Sequence, residues 1–294
     1  MPPIFHHPDY SIKQPENHPF PMGKFRVLSA LLESQGHALQ ICQPAPWQWL
    51  EKVHCPDYLA ALFGGTLPAS AQRRIGFDCT PALAERCRLE CGGTLMAVEA
   101  ALQHGLAANA AGGTHHAHKD FGSGYCLLND LAMAAHYARH LGVDRVLIID
   151  LDVHQGDGTA ALLKDCPWAF TLSVHCEKNF PHRKQRSDWD IGLERGVTDA
   201  GYLQVLEDSI PWLLTSFDPQ LVLFDAGVDV HQHDRLGYLN LTDDGLYQRD
   251  RFVIEHCRQR DIPVAGVIGG GYDHDLAVLA ARHAVLMRAM RDTS

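Results

Sequence analysis

Four short, uninterrupted apolar runs dominate the second half of the chain: VLIID (146–150), AFTLSV (169–174), LVLFDAG (221–227) and PVAGVIGGG (263–271). Runs that are apolar at every position, rather than at alternate ones, read as strands covered on both faces. Helical segments are expected between and around them: one capped by Asn129 and stopped near Gly142, one from about Thr198 to Leu214, one opening at Thr242 and one after Tyr272. Upstream, Thr80 and Pro81 form an N-cap and first helical position, and Leu83, Cys87, Cys91, Leu95, Val98 and Leu102 follow helical spacing. Strand and helix in alternation predict an α/β fold of three layers, αβα, around a central, mostly parallel sheet. No repeat, low-complexity tract or linker divides residues 1–294, so a single domain is expected.

Composition narrows the function classes. The chain of 294 residues is 46% hydrophobic and 20% charged, ordinary for a folded protein. No run approaches the roughly 18–20 apolar residues that cross a bilayer, and MPPIFHHPDY lacks the basic start and apolar core of a signal peptide. A cytoplasmic location without a membrane partner is expected. Nine cysteines without a Cys-x-x-Cys pair suggest neither a disulfide framework nor a cysteine zinc site. A net charge of −10 weighs against a nucleic-acid groove. No heptad pattern points to an oligomeric state.

In parallel sheets, ligands bind beyond the carboxyl ends of the strands. There VLIID ends in Asp150 and leads into Asp152, His154 and Asp157, LVLFDAG carries Asp225 and leads into Asp229, and the last run ends in GGGYD. Asp152, His154 and Asp229 are oxygen and nitrogen donors that suit Zn²⁺, and three protein ligands with an open fourth position characterise a catalytic zinc. A single Asp after a strand is ordinarily a cap or loop residue, and Asp225 is read that way. The loop GGTHHAHKDFGSGYC (112–126) carries His115, His116 and His118. They suit metal ligation or proton transfer, and Asp150 and Asp157 remain as carboxylates to orient histidines in the second use. Three glycines then present Tyr272, whose hydroxyl suits a developing oxyanion, a contact worth about 2.7–4 kcal/mol.

Together with HPFPMGKF (18–25) and DAGVDVHQHDRLGYLNLT (225–242), these segments resemble the zinc-dependent histone deacetylases of the arginase/deacetylase superfamily. The wording is most similar to class IV deacetylases and their bacterial relatives. The resemblance implies one catalytic zinc on Asp152, His154 and Asp229, with His115 backed by Asp150 and His116 backed by Asp157. It makes Tyr272 the catalytic tyrosine, with Gly124, Tyr125 and Phe180 lining a narrow acyl-lysine tunnel. It also implies a structural potassium on the carbonyls of Asp150, Asp152 and His154, with Ser173 and Val174 nearby. HQG here replaces the commoner HHG, and Tyr125 replaces the usual phenylalanine. Leu236 stands where polyamine-selective relatives carry an acid, which implies a neutral entrance. His231 and His233 flank Asp229 as rival ligands, but the set is complete without them.

The reaction expected is removal of an acetyl or longer acyl group from an N-acylated amine, foremost acyl-lysine in a protein or peptide. Acetylpolyamines, other small acylated amines and a non-catalytic acyl-lysine sensor are the alternatives. An arginase-like two-metal site is poorly served by the order Asp150-x-Asp152-x-His154.

Overall fold

The computed structural model describes residues 1–15 and 18–294. Its strands are β1 (Ile4–His6), β2 (Leu39–Ile41), β3 (Leu106–Asn109), β4 (Val146–Asp150), β5 (Ala169–Cys176), β6 (Trp189–Leu193), β7 (Leu221–Asp225) and β8 (Val264–Val267). Its helices are α1 (Lys24–Ser34), α2 (Trp47–Val53), α3 (Pro56–Phe63), α4 (Ala69–Ile75), α5 (Pro81–His104), α6 (Asp130–His140), α7 (Asp157–Leu163), α8 (Asp199–Phe217), α9 (Asp243–Arg258) and α10 (Leu276–Asp292). All eight strands join one sheet in the order β2-β1-β3-β8-β7-β4-β5-β6, and every pairing is parallel.

The layers follow from side-chain burial. Every residue of β3, β4, β7 and β8 is buried, as a strand roofed on both faces requires. On one face α5 packs on β3 and β8, and α6 on β4 and β7; on the other α1, α10, α9 and α8 follow one another as neighbours. The expected three-layer αβα fold is therefore present.

The expected caps form. Thr80 Oγ1 accepts from Leu83 N at 3.2 Å, Asn129 Oδ1 from Ala132 N at 2.8 Å and Thr242 Oγ1 from Gly245 N at 3.0 Å. Several boundaries differ from the reading of the sequence, and β5 runs two residues beyond Val174, to Cys176. Helix α8 runs three residues beyond Leu214, while β7 stops at Asp225 and β8 at Val267. The apolar Ala226–Gly227 and Ile268–Gly271 thus belong to loops buried beneath the site. The cysteines are free, most of them buried. No helix among the described residues is long and apolar enough to cross a membrane.

Candidate active site

Five consecutive strands, β3-β8-β7-β4-β5, deliver the candidate residues from their carboxyl ends. The histidine loop follows β3, Tyr272 follows β8 and Asp229 follows β7. Asp152, His154 and Asp157 follow β4, and Phe180 follows β5.

The first group is Asp152, His154 and Asp229, all buried. His154 Nδ1 lies 3.0 Å from Asp152 Oδ1 and 3.1 Å from Asp229 Oδ2. Zinc bonds of about 2.0–2.1 Å in a tetrahedral arrangement separate ligand atoms by about 3.3 Å, so the trio has the right size. The second oxygen of each carboxylate is occupied: Val153 N donates to Asp229 Oδ1 at 2.9 Å and Gly270 N to Asp152 Oδ2 at 2.8 Å. Asp229 Oδ2, off hydrogen-bond geometry to His154, has no other partner among the described residues. A Cβ on Gly270 would sit 2.2 Å from that oxygen, so only glycine lets the backbone close over the group. Two buried carboxylates and an imidazole converging on one point suit a divalent cation.

The second group is the tandem histidines. His115 Nδ1 is 2.8 Å from Asp150 Oδ2, His116 Nδ1 is 2.6 Å from Asp157 Oδ1, and the two Nε2 atoms are 3.1 Å apart. Burial and the neighbouring His115 push His116 down to about 4, against Asp157. Burial also disfavours a charged His115, but the Asp150, Asp152 and Asp225 carboxylates outweigh it and hold that ring well above the usual histidine range. The two rings are thus pushed in opposite directions, the pattern that separates base from acid roles. His118 shares Asp157, with Nε2 at 3.0 Å from Oδ2, and stacks on Phe121.

Asp225 corrects the loop reading. It ends β7 in register with Asp150 on β4, is fully buried, and lies 3.8 Å from His115 Nδ1. Neither oxygen has a hydrogen-bond partner among the described residues, and burial with the nearby Asp150 raises its carboxyl well above the usual range. Parallel pairing of the two strands, invisible in either run alone, turns the side chain into the site. His231 instead points to Asp243, 3.3 Å away, and His233 is exposed. Ser173 pairs in register with Asp150 and its Oγ is 3.0 Å from His175 Nδ1, while Val174 is buried beside it.

The slot above these groups is shaped by a two-residue turn. Ser123 and Cys126 exchange backbone hydrogen bonds of 3.0 and 2.8 Å around Gly124 and Tyr125, whose φ values of 51° and 65° are both positive, as a type I′ turn demands. A left-handed tyrosine costs roughly 1–2 kcal/mol. Its ring offsets this by packing against Phe20, Phe77 and Tyr272. A Cβ on Gly124 would meet His116 at 2.7 Å and Phe180 at 2.9 Å, so glycine keeps the slot open. Phe180 stands edge-on to His116 at 4.7 Å, and Leu236 lies at the rim, 38% exposed. An outer mouth of about 340 Å³ and an inner cavity of about 40 Å³ share His116, His154, Tyr125 and Tyr272 as walls. The inner cavity holds the buried Lys24, which burial pushes down to about 8, and the Arg86–Glu90 pair at 2.5 Å.

Two supports of the histidine loop escape a reading of the sequence. Buried Asp130 accepts from Gly113 N, Thr114 N, Thr114 Oγ1 and Thr94 Oγ1 at 2.6–3.1 Å, clamping the loop to the start of α6. His54 Nδ1–H donates to His118 O at 2.8 Å while its Nε2 accepts from Asn129 N at 3.0 Å. That arrangement needs a neutral ring, and burial lowers it to about 4. The folded protein therefore binds fewer protons than the unfolded chain between about pH 4 and 6.5, and stability falls as pH drops through this window. His54 alone accounts for about 2 kcal/mol between pH 7 and 5. Urea midpoints of the wild type and His54→Gln at both pH values should show their stability difference narrowing by that amount on acidification; a constant difference rejects the neutral bridge.

The histone deacetylase domain family matches residues 18–288. An uncharacterized protein of Picosynechococcus sp. is 50% identical over 99% of this chain and 98% of its own length. Histone deacetylase 2 of Arabidopsis thaliana is 34% identical over 63% of this chain and 49% of its own, so the chain spans about half of that relative. The crystal structure of the HDA15 HD domain shares the fold, with a TM-score of 0.83 at 20% identity over 98% of this chain and 90% of that one. A match over nearly the whole length, together with this common fold, makes the chain a member of the histone deacetylase family and a hydrolase of amide bonds.

Proposed function

We propose that this protein is a zinc-dependent deacylase of acyl-lysine in proteins or peptides, built as one catalytic domain. The reading rests on one observation: the narrow slot between Gly124 and Phe180 opens onto the carboxylate-backed histidine pair and the Asp152–His154–Asp229 trio. A long, thin acyl-lysine side chain fits such a slot. Leu236 at the rim offers no carboxylate to the second cation of an acetylpolyamine.

Zinc held by Asp152, His154 and Asp229 supplies Lewis acidity toward the acyl carbonyl and toward water. His116, neutral and fixed through Nδ1 by Asp157, takes the proton of the attacking water and later delivers it to the departing amine. His115, kept charged by Asp150, stabilises negative charge that develops beside it. Tyr272, its hydroxyl without a protein hydrogen-bond partner among the described residues, donates to the oxyanion. Potassium would be held by the carbonyls of Asp150, Asp152 and His154, with Ser173 and Val174 adjacent, and would brace the strand end.

The test is hydrolysis of fluorogenic peptides carrying acetyl-, trifluoroacetyl-, octanoyl- and myristoyl-lysine, with zinc quantified on the same sample. Turnover with one zinc per chain is expected, and the ranking gives the acyl preference. One bound zinc with no turnover on any peptide rejects acyl-lysine and moves the reading to small acylated amines.

A further inference from the structure

The outer mouth carries charge that the reaction above does not use. Arg73, Arg74 and Arg235 line it, and no carboxylate does among the described residues. Arg74 and Arg235 are tied to the tunnel wall through the backbone. Arg73 and Arg74 occupy the last turn of α4, where Gly124 N donates to Arg74 O at 3.3 Å and Tyr125 N to Ile75 O at 2.7 Å. Arg235 N donates to Tyr272 O at 3.1 Å. A fourth guanidinium, Arg195, stacks 3.9 Å from the ring of Tyr238, another residue of the rim.

These side chains are not neutralised locally. Arg73, Arg74 and Arg235 are exposed and lack an ion-pair partner among the described residues, whereas Arg145 and Arg251 elsewhere on the surface pair with Asp218 and Glu255. Asp234, next to Arg235, turns its carboxylate inward to accept from Leu236 N, Gly237 N and Tyr272 N. The loop carrying Phe180 adds exposed Arg183 and Arg186. All this stands on a chain whose net charge is −10, so the cations are concentrated at one opening against an acidic background. Such a cleft raises the local concentration of anions and repels cations.

We infer that the mouth selects anionic substrates: acyl-lysine flanked by Asp or Glu, at the expense of lysine-rich tails and polyamines. The inference rests on the acyl-lysine reading and names the sequence context of that lysine. It is tested with three acetyl-lysine peptides that differ only in flanking residues, Glu, Gln or Lys, assayed at about 0.05 and about 0.5 M salt, where screening differs severalfold. The kcat/KM for Glu flanks should exceed that for Lys flanks by about tenfold at low salt, with Gln between. The gap should shrink at high salt and in the double variant Arg74→Gln/Arg235→Gln. Equal values, or fastest turnover of the Lys-flanked peptide, overturn the inference while turnover of the Gln-flanked peptide preserves the deacylase reading. Fluorescence anisotropy of the same peptides on Tyr272→Phe protein supplies a readout without turnover. Tighter binding of the Glu-flanked peptide supports the inference even if no peptide is hydrolysed, and equal or weaker binding overturns it.

Discussion

Tyr272→Phe is expected to lower kcat on an acetyl-lysine peptide by about 10²–10³-fold while leaving zinc content and fold unchanged. The ring is held by contacts the substitution does not touch: it lies near Phe20 and Tyr125, and its backbone N–H donates to Asp234 at 2.7 Å. The hydroxyl has no hydrogen-bond partner in the protein among the described residues, so its removal breaks no ground-state contact. A loss confined to kcat is the signature of a donor used only as the oxyanion forms. Steady-state kinetics with metal analysis and a melting curve on both proteins make the check, and near-native kcat in the variant removes Tyr272 from the reaction.

Asp229→Asn should cut zinc affinity by more than about 100-fold and abolish turnover with it. Asparagine is the informative substitution because its amide oxygen can keep the bond from Val153 N, whereas alanine would strand that buried donor. What changes is the charge: Asp152 and Asp229 both face His154, and without an anion at 229 the trio no longer balances a divalent ion. In the metal-free protein the same change relieves repulsion between two buried carboxylates, so the variant should melt no lower than the metal-free wild type. A variant that retains one zinc per chain in a dialysis titration takes Asp229 out of the ligand set.

The parts of this fold that were legible in the sequence are those with a local signature. β4 and β7 stand out because both faces are buried and every residue is apolar until the terminal Asp, and α5, α6 and α9 because their caps are local. β1 and β2 span three residues each, β3 reads LAAN with two alanines, and β6, WDIGL, is a partly exposed edge strand. None of these carries a run of large apolar residues, and only pairing with neighbours makes them strands. The site divides in the same way. His115, His116 and the Asp152–His154 pair sit in motifs whose residue types already demand a use. Asp130 looks like any first-turn acid behind an N-cap, and His54 like a residue between two short helices. Both acquire a role when α6 brings Asn129 and the histidine loop together. Asp225 is intermediate: its position was visible, but its direction depends on the register between β4 and β7.

The place of β8 in the sheet sets an order of assembly. Among the described residues, β2-β1-β3 and β7-β4-β5-β6 are joined in the sheet only through β8, four residues that begin 155 positions after the end of β3 (264 − 109). Until that strand is synthesised and inserted, the half bearing the histidines and the half bearing the metal trio have no shared ladder. Closing so long a loop costs entropy before any pairing compensates it. Catalytic competence is therefore a late event in folding: a nascent chain that already contains both motifs has yet to bring them face to face.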